Sequence, residues 1–224
     1  MKRNFMHQLQ WACDSPGDFH FMWERLRVTF WSLWGSERYK GSLSHLKDIG
    51  NRRHADRGVK TFNVCDELLR HASQAHLLAA VTSHLNVATP SNPIACDHEL
   101  TNSWRLRDVA ERIASSTVLP KEPDIHLKND DQVCLMHRRV LHLGFLHELL
   151  RDSVRKENGP LVIILWRLWL PMFLGSGRKN YSVEAANLLA NLKADWSSSM
   201  AFIHTHNRSV NMSGKETVAK LWIT

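Results

Sequence analysis

Three features of this 224-residue sequence predict a mainly α fold, six to eight helices in a bundle-like array. Apolar residues recur at three- and four-residue spacing along most of the chain, which lays a single apolar stripe along a helix. The 10 Gly and 7 Pro are few, so long irregular stretches should be few as well. Only residues 9–13, followed by Ser15-Pro16-Gly17, read as a strand leading into a turn, so any β structure is a small N-terminal remnant.

Taken in order, the first helix runs from Phe19 to Trp34, with Phe19, Met22, Trp23, Leu26, Phe30, Leu33 and Trp34 on one face and Gly35 at its end. A second covers Gly41 to Ile49 and closes near Gly50; the polar stretch from Asn51 to Gly58 is a loop or frayed end. Phe62 to His84 is a long helix whose Cys65, Leu68, Leu69, Ala72, His76 and Ala79 share a face. Thr89-Pro90-Ser91-Asn92-Pro93 breaks the chain, Leu100 to Ala114 forms a charged helix, and Leu119 to Asp124 breaks it again. Asp131 to Lys156 places Val133, Met136, Val140, Leu143, His147 and Leu150 on one face, and Asn158-Gly159-Pro160 stops it. Trp166 to Leu174 follows. The last long helix begins near Ser182 with Glu184 in its first turn, where a negative charge suits the helix dipole.

Composition sets the class. With 43% apolar, 8% aromatic and 23% charged residues, disorder, collagen and coiled-coil fibre are excluded. We expect one helical domain over 9–214 and an unpatterned tail over 215–224. The most apolar run, Leu161 to Gly175, falls short of the roughly 20 residues a bilayer requires and carries Arg167. It is therefore expected to be a buried core segment, and no membrane partner is expected. Four widely spaced cysteines without a CxxC pair argue against a disulfide framework. The basic start Lys2-Arg3 has no apolar run behind it, so the expected location is intracellular, the nucleus before the cytoplasm.

Charge narrows the partners. The 29 Lys and Arg exceed the 22 Asp and Glu, leaving a formal +7. Such an excess favours phosphate-rich polymers, DNA or RNA, although it also serves solubility alone. Basic residues cluster at Arg52, Arg53 and Arg57, at Arg105, Arg107 and Arg112, at Arg138 and Arg139, and at Arg151, Arg155 and Lys156. If they share a face they form an electrostatic footprint; as separate runs they are solvated surface. Gly175-Ser176-Gly177-Arg178-Lys179 lacks Walker spacing, yet Arg178 and Lys179 at a helix start can meet a phosphate backbone; a plain surface turn is the alternative.

Catalytic and metal signals are sparse. Asp18, in Gly17-Asp18-Phe19-His20, is either a helix N-cap or an oxygen ligand for a hard cation. Cys96 and His98 with Cys134 and His137 could complete a zinc shell if they met, but helical Cys and His are more often packing groups, and no metal site is expected. His204 and His206 alone make an incomplete shell. No Gly-x-Ser-x-Gly elbow is present.

Several stretches resemble an uncharacterised eukaryotic family of fungi and invertebrates, the domain of unknown function 6589. They are Gly17-Asp18-Phe19-His20-Phe21, Gly41 to Leu46, Asp66-Glu67-Leu68-Leu69 with Ala75-His76, Asn180 to Ala185, and Asn207 to Asn211. The resemblance spans roughly residues 9 to 214. It implies descent from a DNA transposase with a ribonuclease-H-like core, whose chemistry is two-metal phosphoryl transfer. Asp18 and Glu184 would then be the surviving catalytic acids, with Mg as cofactor only if the ancestral site survives; otherwise no cofactor is expected. Longer family members carry a further acid upstream in a Gly-Asp-Gln setting, and this chain begins after it, so a catalytically silent relative is expected. Three functions follow: a transposon-derived, nucleic-acid-associated protein without turnover; a residual metal-dependent nuclease or transposase using Asp18 and Glu184; or a helical interaction module, its protein partner unidentified.

Overall fold

The computed structural model describes residues 17–35, 39–84, 103–115 and 132–206. The predicted strand at 9–13, the two Pro-containing breaks, Cys96 to His98 and the tail at 215–224 lie outside them. Among the described residues the regular structure is helical: α1 Asp18–Leu33, α2 Leu43–Ile49, α3 Phe62–His84, α4 Ser103–Ile113, α5 Gln132–Arg155, α6 Gly159–Gly175, α7 Lys179–Ala190, a short π-helical turn Asn191–Asp195, and α8 Ser198–His206. The mainly α expectation is met.

The chain packs as two units, one formed by Met1–Val28 with Leu150–Thr224 and the other by Thr29–Leu149. In the first, an aromatic core joins α1 to α6. Phe21 stacks on Trp166 with ring centroids 4.0 Å apart, and Phe173 meets Phe21 edge-on at 5.9 Å. Such offset and T-shaped pairs add to the stabilisation from their buried area. Val162, Leu165, Trp166, Trp169 and Phe173 of α6 are buried, but Ile164, Leu168 and Leu174 are exposed. The apolar run is thus one-sided rather than buried throughout. Asn158 caps α6 by accepting from the Leu161 amide at 3.1 Å. Pro171 lies inside the helix, where it removes one hydrogen bond to the Arg167 carbonyl; exposed Arg167 can leave that group to water. α7 begins at Lys179, earlier than the sequence suggested, so Glu184 stands in the second turn and gains little from the dipole. Helix α8 was not foreseen.

In the second unit, α3 buries Cys65, Leu68, Leu69, Ala72 and Ala80, and α5 contributes Met136, Val140, Leu141 and Leu143. Ala80, Ile113 and Leu141 form a smaller apolar cluster with Leu77, Val81 and Val109. Within this core His147 Nε2 stands 2.6 Å from Asp66 Oδ1, both side chains nearly inaccessible to water. At the edge of the same helix pair, Arg70 Nε donates to Glu148 Oε1 at 3.0 Å. No helix among the described residues is long and apolar enough to cross a membrane.

Candidate nucleic-acid interface

A basic turn of the structure is built on two apolar anchors. Helix α2 is N-capped by Ser42, whose hydroxyl accepts from the His45 amide at 3.3 Å, and C-capped at Gly50. The chain then reverses through Asn51, in the left-handed region at φ 50°, and the Arg52 amide reaches back to the Lys47 carbonyl at 2.9 Å. Ala55 and Val59 are fully buried and pin the loop from below. Asp56 turns the segment between them: its carboxylate accepts from the Gly58 amide at 2.7 Å, and its carbonyl accepts from the Val59 amide at 3.1 Å. The Cys65 thiol donates to the same carbonyl at 3.8 Å; burial, the largest influence, pushes its pKa up and keeps it a protonated donor. Val59 has φ 52°, a costly conformation for a β-branched residue that persists only where the surroundings enforce it.

Residues 47–60 carry five cationic and two acidic side chains. Arg52 is committed, bridging Glu67 at 2.9 Å and His71 Nδ1 at 3.2 Å. Arg53 Nε donates to Asn51 Oδ1 at 3.1 Å and is exposed, as are His54 and Lys60. Arg57 lies over the Trp31 ring, 5.8 Å from its centroid, and Lys47 lies 5.9 Å from that of Trp34. Trp31 lies in the last turn of α1, and Trp34 follows the end of that helix at Leu33. Trp31 is 57% exposed. The cluster of Arg52, Arg53 and Arg57 was legible in the sequence; the addition of Lys47 and Lys60 and the indoles beneath two of these cations were not, although position 31 lies outside the apolar stripe of α1, and that was the available signal.

Arg178 and Lys179 belong to the other unit. Gly177, at φ 72°, turns the chain from α6 into α7. Arg178 is occupied in part by Glu24, 3.5 Å away, whose other oxygen holds Arg27 at 2.7 Å, whereas Lys179 is exposed. Tyr181 sits beside this group; burial first, then the charges of Glu24 and Glu184, raise its pKa. Arg178 thus faces the buried carboxylate of Glu24.

The two candidate catalytic acids have different surroundings. Asp18 opens α1 and accepts from the Trp166 indole N–H at 3.2 Å, against the aromatic core. Glu184 is exposed on α7. Among the described residues no three His, Cys, Asp or Glu side chains are grouped to hold a metal. Cys134 is exposed, and His137 pairs instead with His76, Nδ1 to Nδ1 at 2.8 Å. His206 stacks on Phe202, and His204 packs against Trp196.

Some residues of the other basic runs are paired along their own helices at the surface. Arg107 pairs with Glu111 at 3.5 Å and Arg112 with Asp108 along α4, and Lys156 pairs with Asp152 at 2.9 Å. Arg151 is buried. Arg139 and Arg155 are exposed, so the 47–60 turn is one of several cationic surfaces among the described residues, distinguished by the indoles its cations lie over. No curated protein and no solved structure matches the chain. The sequence profile of one family matches residues 2–220, and the chain belongs to that family, the family of unknown function DUF6589.

Proposed function

We propose that this chain is a transposon-derived protein that associates with nucleic acid and carries out no catalytic turnover. The observation that carries the reading is the anchored turn at 47–60, which exposes Arg53, Arg57 and Lys60 on a backbone pinned by buried Ala55 and Val59, with Arg57 over the exposed ring of Trp31. A polyanion meeting such a preformed surface loses less conformational entropy than one that must order a loop. The absence of turnover is supported by the engagement of Asp18 with Trp166, a setting that suits a structural hydrogen bond.

Titration of labelled DNA against the protein at several salt concentrations tests this. Binding should weaken steeply between about 50 and 200 mM salt as counterions are released. Arg53→Ala combined with Lys60→Ala should lower the logarithmic salt slope by roughly 1 to 2, about 0.9 for each duplex phosphate that is no longer neutralised. Salt-independent binding, or none, rejects the association. Cleavage or joining of plasmid DNA that depends on Mg and disappears in Asp18→Asn would overturn the inactive assignment and favour the nuclease reading.

A further inference from the structure

Burying a Trp side chain is strongly favourable, and two indoles among the described residues are used that way. Trp166 and Trp169 are fully buried, yet Trp31 is left 57% exposed on α1. It is held in place rather than loose: Arg57, from the anchored turn, lies over its ring at 5.8 Å. Three residues on, Trp34 repeats the arrangement with Lys47 at 5.9 Å. An indole face flanked by fixed cations matches the way unpaired nucleotides are held, with bases stacked on aromatic rings and phosphates tracked by Lys and Arg. In a duplex the faces of the bases are covered by their neighbours, and only base edges and phosphates are offered. The surrounding positive charge selects a polyanion over an apolar protein segment.

We propose that Trp31 is a stacking platform for an unpaired base, so that the partner of this surface is single-stranded nucleic acid. The inference rests on the nucleic-acid reading above and narrows it to a strand class. Trp31 supplies affinity through its ring, and Arg53, Arg57 and Lys60 supply the attraction for phosphates.

The test measures anisotropy of labelled oligo-dT, oligo-U and a mixed-sequence duplex of equal length. Wild-type protein should prefer the single strands, and Trp31→Ala should weaken that binding roughly 5- to 100-fold, the equivalent of one stacked base. Duplex binding and the salt slope should not change. Trp31→Leu, which keeps apolar bulk without a ring, should lose as much as the alanine variant, and Trp31→Phe should restore most of the affinity. Oligo-dT against oligo-U separates DNA from RNA. Equal loss on single strand and duplex, or no loss in either ring-less variant, overturns stacking while leaving salt-dependent association intact. Failure of the wild type to bind any of the three probes overturns both readings.

Discussion

Asp66 and His147 meet in the core of the Thr29–Leu149 unit at 2.6 Å, both nearly inaccessible to water. In such a place a polar group without its partner keeps its full desolvation cost. Asp66→Ala or His147→Ala should each lower the unfolding free energy in urea by about 3 to 5 kcal/mol. Replacing both with Leu should recover most of that loss, because the cost lies in the orphaned group rather than in the missing attraction. Neither partner was legible as half of a pair: Asp66 fell within a family-like motif, and His147 stood on the apolar face of its helix. The helical spacing placed His147 inside correctly, but one-dimensional periodicity carries no information about what a buried imidazole faces on another helix. The same holds for His76. Its Nε2 lies 3.2 Å from the Gly41 carbonyl, which only accepts, so that nitrogen carries the proton, and His137 Nδ1–H then donates to His76 Nδ1.

At the scale of elements, the long helices were the most legible parts. Periodicity gave α3 with its observed ends and α5 to within a residue at each end, because both bury a continuous stripe. The errors lie where the stripe fails. Ala80, not Ala79, is the buried residue of the last turns of α3, and Val133 is exposed on α5. Helix α8 buries none of its residues, so nothing marked it against the turn before it. How closely helices approach is a further property that patterning does not report. Gly144 of α5 faces α3, and a Cβ added there would overlap the side chain of Ser73, which is tied to the Leu69 carbonyl at 2.8 Å. Gly144→Ala should therefore destabilise the protein by about 1 to 3 kcal/mol despite the better helix propensity of Ala. Ser73→Gly in the same chain should relieve part of that loss, as read by the urea midpoint.

On the scale of the whole chain, the two packing units change over inside helices, between Val28 and Thr29 in α1 and between Leu149 and Leu150 in α5. Neither point carries Gly, Pro or a polar run, so a search for linkers has nothing to find there. Composition gave the net charge of +7 but not its disposition, since arginines of one stretch divide between buried, ion-paired and exposed positions, Arg151 against Arg155 and Arg52 against Arg53. Charge also decides how global stability should respond to acid. The imidazoles of His76, His137 and His142 have lowered pKa values, in each case chiefly through burial; His137 adds to the effect at His76, and Arg138 adds to it at His137. In the unfolded chain they titrate near the ordinary value of about 6.5. Below that pH the unfolded state takes up protons that the folded state refuses, so stability is present above about 6.5 and lost as pH falls through the folded values. The thermal midpoint should drop between about pH 7 and 5. His137→Gln, which can still donate to His76 but does not titrate, should make that drop smaller. Rising positive charge would also destabilise by general self-repulsion, but that contribution is screened by salt, whereas the cost of charging a buried ring is not. A fall that persists at about 0.5 M salt and shrinks in His137→Gln assigns it to the imidazoles; a fall abolished by salt and indifferent to the substitution assigns it to net charge.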